Sequence, residues 1–124
     1  MLNLLVIGLG GFIGAVMRYL VSGWAHRLLG SAFPYGTLVV NIMGSFLLGL
    51  FITLVTTKII LPYPLKNFIA IGMLGAFTTF STFSYETVML IQNNLLWATI
   101  GNILLNVLMA ILALWLGIVA ARML

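Results

Sequence analysis

The residues that could act on a solute are polar and aromatic side chains set among apolar ones. From 72 to 86, two glycines precede a run of threonine, serine and phenylalanine. Phe80 and Phe83 are three residues apart and so share one face of a helix. The positive edge of a phenylalanine ring can coordinate an anion without a full charge, weakly enough to release it. The other interpretation is that both rings face lipid or the core.

The same stretch is a weak point of its helix. Gly72 and Gly75 each weaken a helix by about 1 kcal/mol relative to alanine, and threonine and serine hydroxyls compete for backbone hydrogen bonds. A helix that breaks inside a membrane leaves carbonyl oxygens that need partners, and such carbonyls are ligands for Na⁺ in transporters. We therefore expect a helix broken mid-membrane, and a buried monovalent cation is a hypothesis.

Asparagines interrupt two other apolar runs. Asn41 lies in one of them, and Asn102 and Asn106 lie four residues apart on one face of another. A buried amide in lipid must be hydrogen-bonded. These amides are therefore either contacts between helices, worth about 1 kcal/mol each, or donors that face an anion, and the pattern leaves both open.

Two charged residues lie within or near apolar segments. Arg18 is some four turns into the first helix, where a guanidinium is costly unless it snorkels to the interface or points into a polar vestibule. Glu86 is the only acidic residue and lies near the end of a helix, where interfacial placement and a vestibule role are equally open.

Membrane-spanning helices must position these residues. The chain has 124 residues, 64% of them hydrophobic and 5% charged, whereas soluble proteins are about 25% charged. Runs without charge can each supply the ~20 residues of a span. We predict an all-α integral membrane protein, a single domain over 1–124 whose four helices cover 3–25, 34–57, 66–91 and 96–122. Short connections are predicted at 26–33, 57–64 and 92–94.

The composition excludes several classes of protein. There is no cysteine and only one histidine, so disulfides, thiolate nucleophiles and cysteine or histidine metal clusters are excluded. The five basic residues are scattered, so nucleic acid is not an expected partner. No nucleophile, base and orienting group occur together, so we do not expect an enzyme.

The basic residues give only a weak signal for orientation. With four spans, both termini share one side with Lys58, Lys66 and Arg122, and Arg27 lies on the other side with Arg18 nearer the membrane. Insertion in one orientation with the termini inside and insertion in both orientations therefore remain open. Four bulky helices leave no space for a solute path, so we expect an oligomer. Two opposed copies related by an axis in the membrane plane are one hypothesis.

Three motifs occur in order over essentially the whole chain. They are Gly11-x-x-Gly14-Ala15-x-x-Arg18-Tyr19, Gly36-Thr37-x-x-Val40-Asn41-x-x-Gly44-Ser45-Phe46-x-x-Gly49, and Gly72-x-x-Gly75-x-x-Thr78-Thr79-Phe80-Ser81-Thr82-Phe83. With this ordered set the sequence resembles the CrcB, or Fluc, family of fluoride channels.

The resemblance implies an antiparallel, dual-topology homodimer with two fluoride pores. Asn41 would line each pore, with Phe80 and Phe83 contributed across the dimer. A structural Na⁺ that is not transported would lie on the two-fold axis, held by the carbonyls of Gly75 and Thr78 of each copy.

Further pore and vestibule residues follow from the resemblance. Ser81 and Thr82 are predicted to supply hydroxyl contacts to fluoride, and Arg18 and Glu86 to lie at the aqueous vestibule. In the fourth helix many family members have Tyr and Ser four residues apart and then Gly. Here Asn102, Asn106 and Ala110 occupy those positions, so the two asparagines are predicted to line the pore.

The implied function is passive export of fluoride through the cell inner membrane, which protects against fluoride toxicity. Fluoride enters as neutral HF from acidic surroundings, dissociates in the cytoplasm and leaves as an anion. The partners would be fluoride, a second copy and the lipid bilayer. A small proton-coupled multidrug exporter is the main alternative, and it needs an embedded carboxylate for which only Glu86 qualifies. A structural subunit of a larger complex is a second alternative, which would leave the Phe80 region without a purpose.

Overall fold

The computed structural model describes residues 1–124 as helices joined by three short connections. The first helix is Leu2–Leu29 and the second is Tyr35–Thr57. The third span is Tyr63–Gln92 and the fourth is Leu96–Met123. All four are long and apolar enough to cross a membrane. The prediction of an all-helical chain with four spans is confirmed.

The third span is made of several helical segments. Tyr63–Asn67 is followed by a π-helical turn, Phe68–Leu74, and then by the short segment Gly75–Phe77. Thr78 and Thr79 then have extended backbone (φ −82°, ψ 158° and φ −151°, ψ 113°). The helix resumes over Phe80–Gln92.

The fourth span keeps one direction throughout but contains a π-helical turn. It runs through Leu96–Leu104, the π segment Leu105–Met109 and Ala110–Met123. A π turn widens the helix locally and occurs frequently at functional sites. Asn106 lies in this turn, and Asn102 lies one turn earlier.

Two predicted helix boundaries are wrong, each for a local reason. The first helix ends at Leu29 and not at 25, because it continues until Gly30 takes a φ of 94°, which glycine adopts readily. The third helix begins at Tyr63 and not at 66, because Pro64 lies in the first turn, where a missing N–H costs nothing. The connections predicted over 26–33 and 57–64 are correspondingly too long.

Glycines set how closely the helices pack. A Cβ atom on Gly10 or Gly14 would overlap the backbone of the third span, at Phe68 or Met73. Gly117 of the fourth span has the same relation to the second helix. Small residues let the backbones of membrane helices approach closely. The Gly10 to Gly14 spacing predicted a helix contact face, and this prediction is confirmed.

The buried interior of the protomer is unusually polar. Only 23 of 124 residues are buried, as suits a small bundle whose outer face is apolar. The buried polar residues are Thr37, Asn67, Thr79, Thr87, Thr99, Asn102 and Asn106. Buried polar groups need hydrogen-bond partners, so this set marks the part of the interior to examine for a site.

We predict that Gly14→Ala destabilises the protein and that Gly23→Ala does not. The added methyl at position 14 overlaps the Met73 backbone, whereas a Cβ at position 23 meets nothing within 4 Å. Overpacking of this kind costs about 1 to 3 kcal/mol. The midpoint of thermal unfolding in detergent should fall for Gly14→Ala only, and equal midpoints for the two variants would contradict this packing.

Candidate functional site

The site centres on a hydrogen-bonded pair between the second helix and the interruption of the third. The side-chain amide of Asn41 donates from Nδ2 to the Thr79 carbonyl at 3.2 Å and accepts from the Thr79 N–H at 2.8 Å. Because one amide pairs with both the N–H and the C=O of one residue, the extended backbone at Thr79 is fixed to the second helix.

This pairing releases carbonyl oxygens on the preceding turn. In a continuous helix the Thr79 N–H would bond the Gly75 carbonyl, and the Thr82 N–H would bond the Thr78 carbonyl. Here the first N–H bonds Asn41, and the second bonds the Thr79 hydroxyl at 3.2 Å. The carbonyls released by these two changes include those of Gly75 and Thr78, the two residues that the resemblance assigns to Na⁺.

The two released carbonyls lie in different surroundings. Gly75 is exposed on the surface of the protomer. The Thr78 carbonyl accepts a hydrogen bond of 3.4 Å from Nη1 of Arg18. The guanidinium of the first helix therefore partly satisfies one oxygen, and the other belongs to an exposed residue.

The asparagines of the fourth span continue the polar contacts of Asn41. Asn41 Nδ2 donates to Asn106 Oδ1 at 2.9 Å, and Asn106 Nδ2 donates to the Asn102 carbonyl and to Asn102 Oδ1 at 3.0 and 2.9 Å. Asn102 Nδ2 then donates to the Thr87 hydroxyl at 2.9 Å, which donates to the Phe83 carbonyl at 2.7 Å. All three amides are thus contacts between helices in this protomer.

The two phenylalanines are in contact but differ in exposure. Their ring centroids lie 5.3 Å apart with the planes tilted by 57°. Phe83 is 7% exposed, whereas Phe80 is 76% exposed on the outer face. Both line a cavity of about 310 Å³, which we call the aromatic cavity, together with Asn41, Asn106 and Ser45. No charged side chain lines it.

A second cavity of about 630 Å³ opens between the first, second and third spans, and we call it the charged cavity. Arg18 and Glu86 both line it, with His26 and Thr82. Glu86 Oε1 accepts from the Thr37 hydroxyl at 2.7 Å, and Oε2 is buried without a hydrogen-bond partner. Thr79 lines both cavities, so they meet at the interruption of the third span.

The remaining predicted pore residues lie at the edge of this arrangement. The Thr79 hydroxyl caps the helix that begins at Phe80, donates to the Thr82 hydroxyl at 3.0 Å and lies 3.4 Å from the Ser81 hydroxyl. Ser81 lines neither cavity, and fully buried Asn102 lines neither one. The structure thus brings four of the predicted pore residues to one cavity: Asn41, Phe80, Phe83 and Asn106.

Three site residues were missed by the sequence analysis. Ser45 lines the aromatic cavity, and Thr37 bonds the carboxylate of Glu86. Both lie four residues from Asn41 on one helical face, and this spacing could have identified them. Thr87 bonds Asn102 across two helices, and no local pattern indicates that contact.

Comparison of the sequence with known proteins identifies its family. Residues 5–118 match the family model described as CrcB-like protein, Camphor Resistance (CrcB). A relative in Sulfurovum sp. (strain NBC37-1), named Fluoride-specific ion channel FluC, is 48% identical over 114 residues, which cover 92% of this chain and 89% of the relative. Relatives of the same name in Shewanella frigidimarina and Geobacter metallireducens are 50% and 43% identical, covering 94% and 98% of both chains. This chain belongs to the CrcB family.

Proposed function

We propose that this protein is a fluoride-selective ion channel through which fluoride leaves the cell passively, as a multi-pass protein of the bacterial inner membrane. The observation that carries the proposal is the aromatic cavity, in which two phenylalanine rings meet two asparagine amides without any charged side chain. The name that the relatives share, Fluoride-specific ion channel FluC, supports the same function. A channel needs no covalent chemistry, and the protein is not an enzyme.

The aromatic cavity suits an anion that must bind and then leave. The edges of Phe80 and Phe83 offer weak positive potential, and the hydroxyl of Ser45 makes no hydrogen bond within the protomer and can donate to fluoride. The hydrogens on Asn41 Nδ2 already have acceptors, so fluoride receives an amide hydrogen only by replacing one of them. Such a site holds an anion loosely enough to conduct.

The charged cavity would supply fluoride to this site. Arg18 places a positive charge in it, while the Glu86 carboxylate accepts a hydrogen bond from Thr37, so an anion that enters is attracted to the guanidinium. Because Thr79 borders both cavities, an anion drawn to Arg18 arrives at the Phe80 and Phe83 rings after passing one residue.

Glu86 gives the second candidate function, a proton-coupled exporter. It is the only carboxylate, and one of its oxygens is buried without a partner beside the charged cavity. Such an exporter exchanges protons at an embedded carboxylate. The channel is favoured because the relatives are named as channels and because the aromatic cavity contains no acidic residue.

We predict that Phe80→Ile and Phe83→Ile each stop fluoride flux while the protein still assembles. Isoleucine keeps the apolar volume but has no ring edge to face an anion. The measurement is fluoride release from liposomes loaded with KF and KCl, with protein purified in Na⁺ and Na⁺ in the outer buffer, started with valinomycin so that the K⁺ potential does not limit an electrogenic flux.

The matched control is Phe51→Ile, because Phe51 lies on the second helix and lines neither cavity. Its flux should equal that of the unaltered protein, with chloride retained throughout. Continued flux in both test variants would refute ring coordination. No flux from the unaltered protein would favour the exporter and direct attention to Glu86.

We further propose that two copies form an antiparallel dimer with opposite orientations in the membrane. Gly75 lies close to the middle of the Tyr63–Gln92 span, and both Gly75 and Phe80 are exposed on the protomer. A carbonyl at that depth cannot face hydrocarbon without a partner. A second copy covers this face, and the small difference in Lys and Arg between the two ends permits both orientations.

We predict that cysteines placed at opposite ends of the molecule are each labelled from both sides of the membrane. The chain has no cysteine of its own, so Ser31→Cys and Ile60→Cys are single reporters in the connections after the first and second helices. With dual topology, an impermeant maleimide should reach about half of either variant in intact cells, as two opposed copies require. Full labelling of one and none of the other would indicate a single orientation.

We also propose that a Na⁺ ion lies between the two copies at the released carbonyls of Gly75 and Thr78. No group of three or more His, Cys, Asp or Glu side chains could hold a metal, so the donors for a cation are neutral oxygens, which suit a hard monovalent ion. Gly75 fits this role on the exposed face. Thr78 fits it once Arg18 gives up its 3.4 Å contact. The ion would hold the two interruptions together.

We predict that fluoride flux depends on Na⁺ although Na⁺ itself does not cross. Protein purified and reconstituted with K⁺ as the only alkali cation should lose fluoride flux, because K⁺ is too large for carbonyls spaced for Na⁺, and added Na⁺ should restore it. Uptake of ²²Na⁺ should stay at the level of protein-free liposomes. Equal fluoride flux in the two cations would refute the site without affecting the channel assignment.

A further inference from the structure

Six side-chain and backbone groups form a chain of hydrogen bonds in which each group donates to the next. It starts at the Thr79 N–H and passes through the amides of Asn41, Asn106 and Asn102 to the Thr87 hydroxyl. The Thr87 hydroxyl then donates to the carbonyl of Phe83, on the turn that carries both phenylalanines. The chain therefore begins and ends on the backbone of the third span.

The two ends of this chain determine its direction. The Thr79 N–H can only donate, so the oxygen of Asn41 must face it, and the Asn41 nitrogen then faces Asn106. The same logic passes to Asn102, whose nitrogen is left facing Thr87. At the far end, the Phe83 carbonyl can only accept, so it fixes the hydrogen of the Thr87 hydroxyl and leaves a lone pair for Asn102.

We propose that Thr87 is a positioning residue for fluoride permeation, because its hydroxyl holds the Asn102 side chain in place against Asn106, which lines the aromatic cavity. This inference rests on the proposed channel function. Without the hydroxyl, Asn102 loses one of its two side-chain hydrogen bonds, and its buried nitrogen has no acceptor. A shift of this amide withdraws the Asn102 oxygen from the nitrogen of Asn106, which then keeps only its bond to the Asn102 backbone carbonyl, so Asn106 is less firmly fixed in the wall of the aromatic cavity. Asn41 stays in place through its two bonds to Thr79.

Thr87 reaches the aromatic cavity only through this chain. Its side chain is buried and lines neither cavity, so it does not touch a permeating anion. Asn102 is fully buried as well. Asn106 does line the aromatic cavity, and it is the member through which Thr87 acts.

The test separates the hydroxyl of Thr87 from its shape. Thr87→Val keeps the volume and removes the hydroxyl, whereas Thr87→Ser keeps the hydroxyl and removes a methyl group. If the hydrogen bond matters, valinomycin-driven fluoride flux falls about tenfold in Thr87→Val, the effect of roughly one unsatisfied buried group, and stays near normal in Thr87→Ser. If Thr87 serves only packing, the fluoride flux is higher in Thr87→Val than in Thr87→Ser.

Thr99→Val is the matched control. Thr99 is also a buried threonine whose hydroxyl bonds the carbonyl four residues earlier, at 2.9 Å, but no side chain donates to it. Its loss should leave flux unchanged. Thr87→Cys, whose sulfur is a weak acceptor, should give intermediate flux, and it keeps the comparison with Thr87→Ser usable if the valine variant does not fold.

The outcomes distinguish this inference from the channel function. Normal flux in Thr87→Val, or in Thr87→Cys when the valine variant is unfolded, with a conducting unaltered protein overturns the role of Thr87 alone. A similar loss in Thr99→Val overturns it too, because any intrahelical threonine bond would then suffice. An unaltered protein that does not conduct fluoride overturns both proposals.

Discussion

The pairing of the Asn41 amide with the peptide at Thr79 is the interaction on which the rest of the structure depends. A bilayer offers no water to an extended backbone, so each N–H and C=O there needs a protein partner. One asparagine supplies an acceptor and a donor in a single planar group, so it replaces the helical bond of the Thr79 N–H and gives the Thr79 carbonyl a donor. The helix can therefore leave its regular path without an unpaired group at that residue.

The glycines of the second helix make this pairing geometrically possible. Gly44 lies one turn after Asn41, and a Cβ there would overlap the methyl group of Thr78 and press on the ring of Phe77. The spacing Asn41-x-x-Gly44 therefore places two features on one face of the second helix: the amide that binds Thr79, and the room that Gly44 leaves for Thr78 and Phe77. A side chain at position 44 would push the third span away and break both bonds to Thr79.

Local patterns in the sequence determined the spans, the glycine contact face and the polar faces, because each depends on residues a few positions apart. The helix end at Gly30 was missed because the sequence does not show which glycine takes a positive φ. Gly23 could have ended the helix equally well, but of the two only Gly30 has a positive φ. The bond between Asn41 and Thr79 joins residues 38 apart, and that between Asn102 and Thr87 joins different spans. Whether an asparagine joins two helices or donates to an anion depends on these long-range hydrogen bonds, which local spacing does not reveal.

The antiparallel dimer and the Na⁺ site stay predictions, since both depend on a second copy.

The separation of charge between the two cavities explains how one protein could attract an anion strongly and still release it. Arg18 and Glu86 line only the charged cavity, so strong fields act where an anion is still hydrated. The aromatic cavity has only dipoles and ring edges. Asparagines in the fourth span fit this division better than hydroxyls would, because amides can satisfy each other in a chain. Among the hydroxyls of the aromatic cavity, those of Thr78 and Thr79 already donate within the protomer, so in the proposed channel Ser45 is the hydroxyl that can replace water around fluoride.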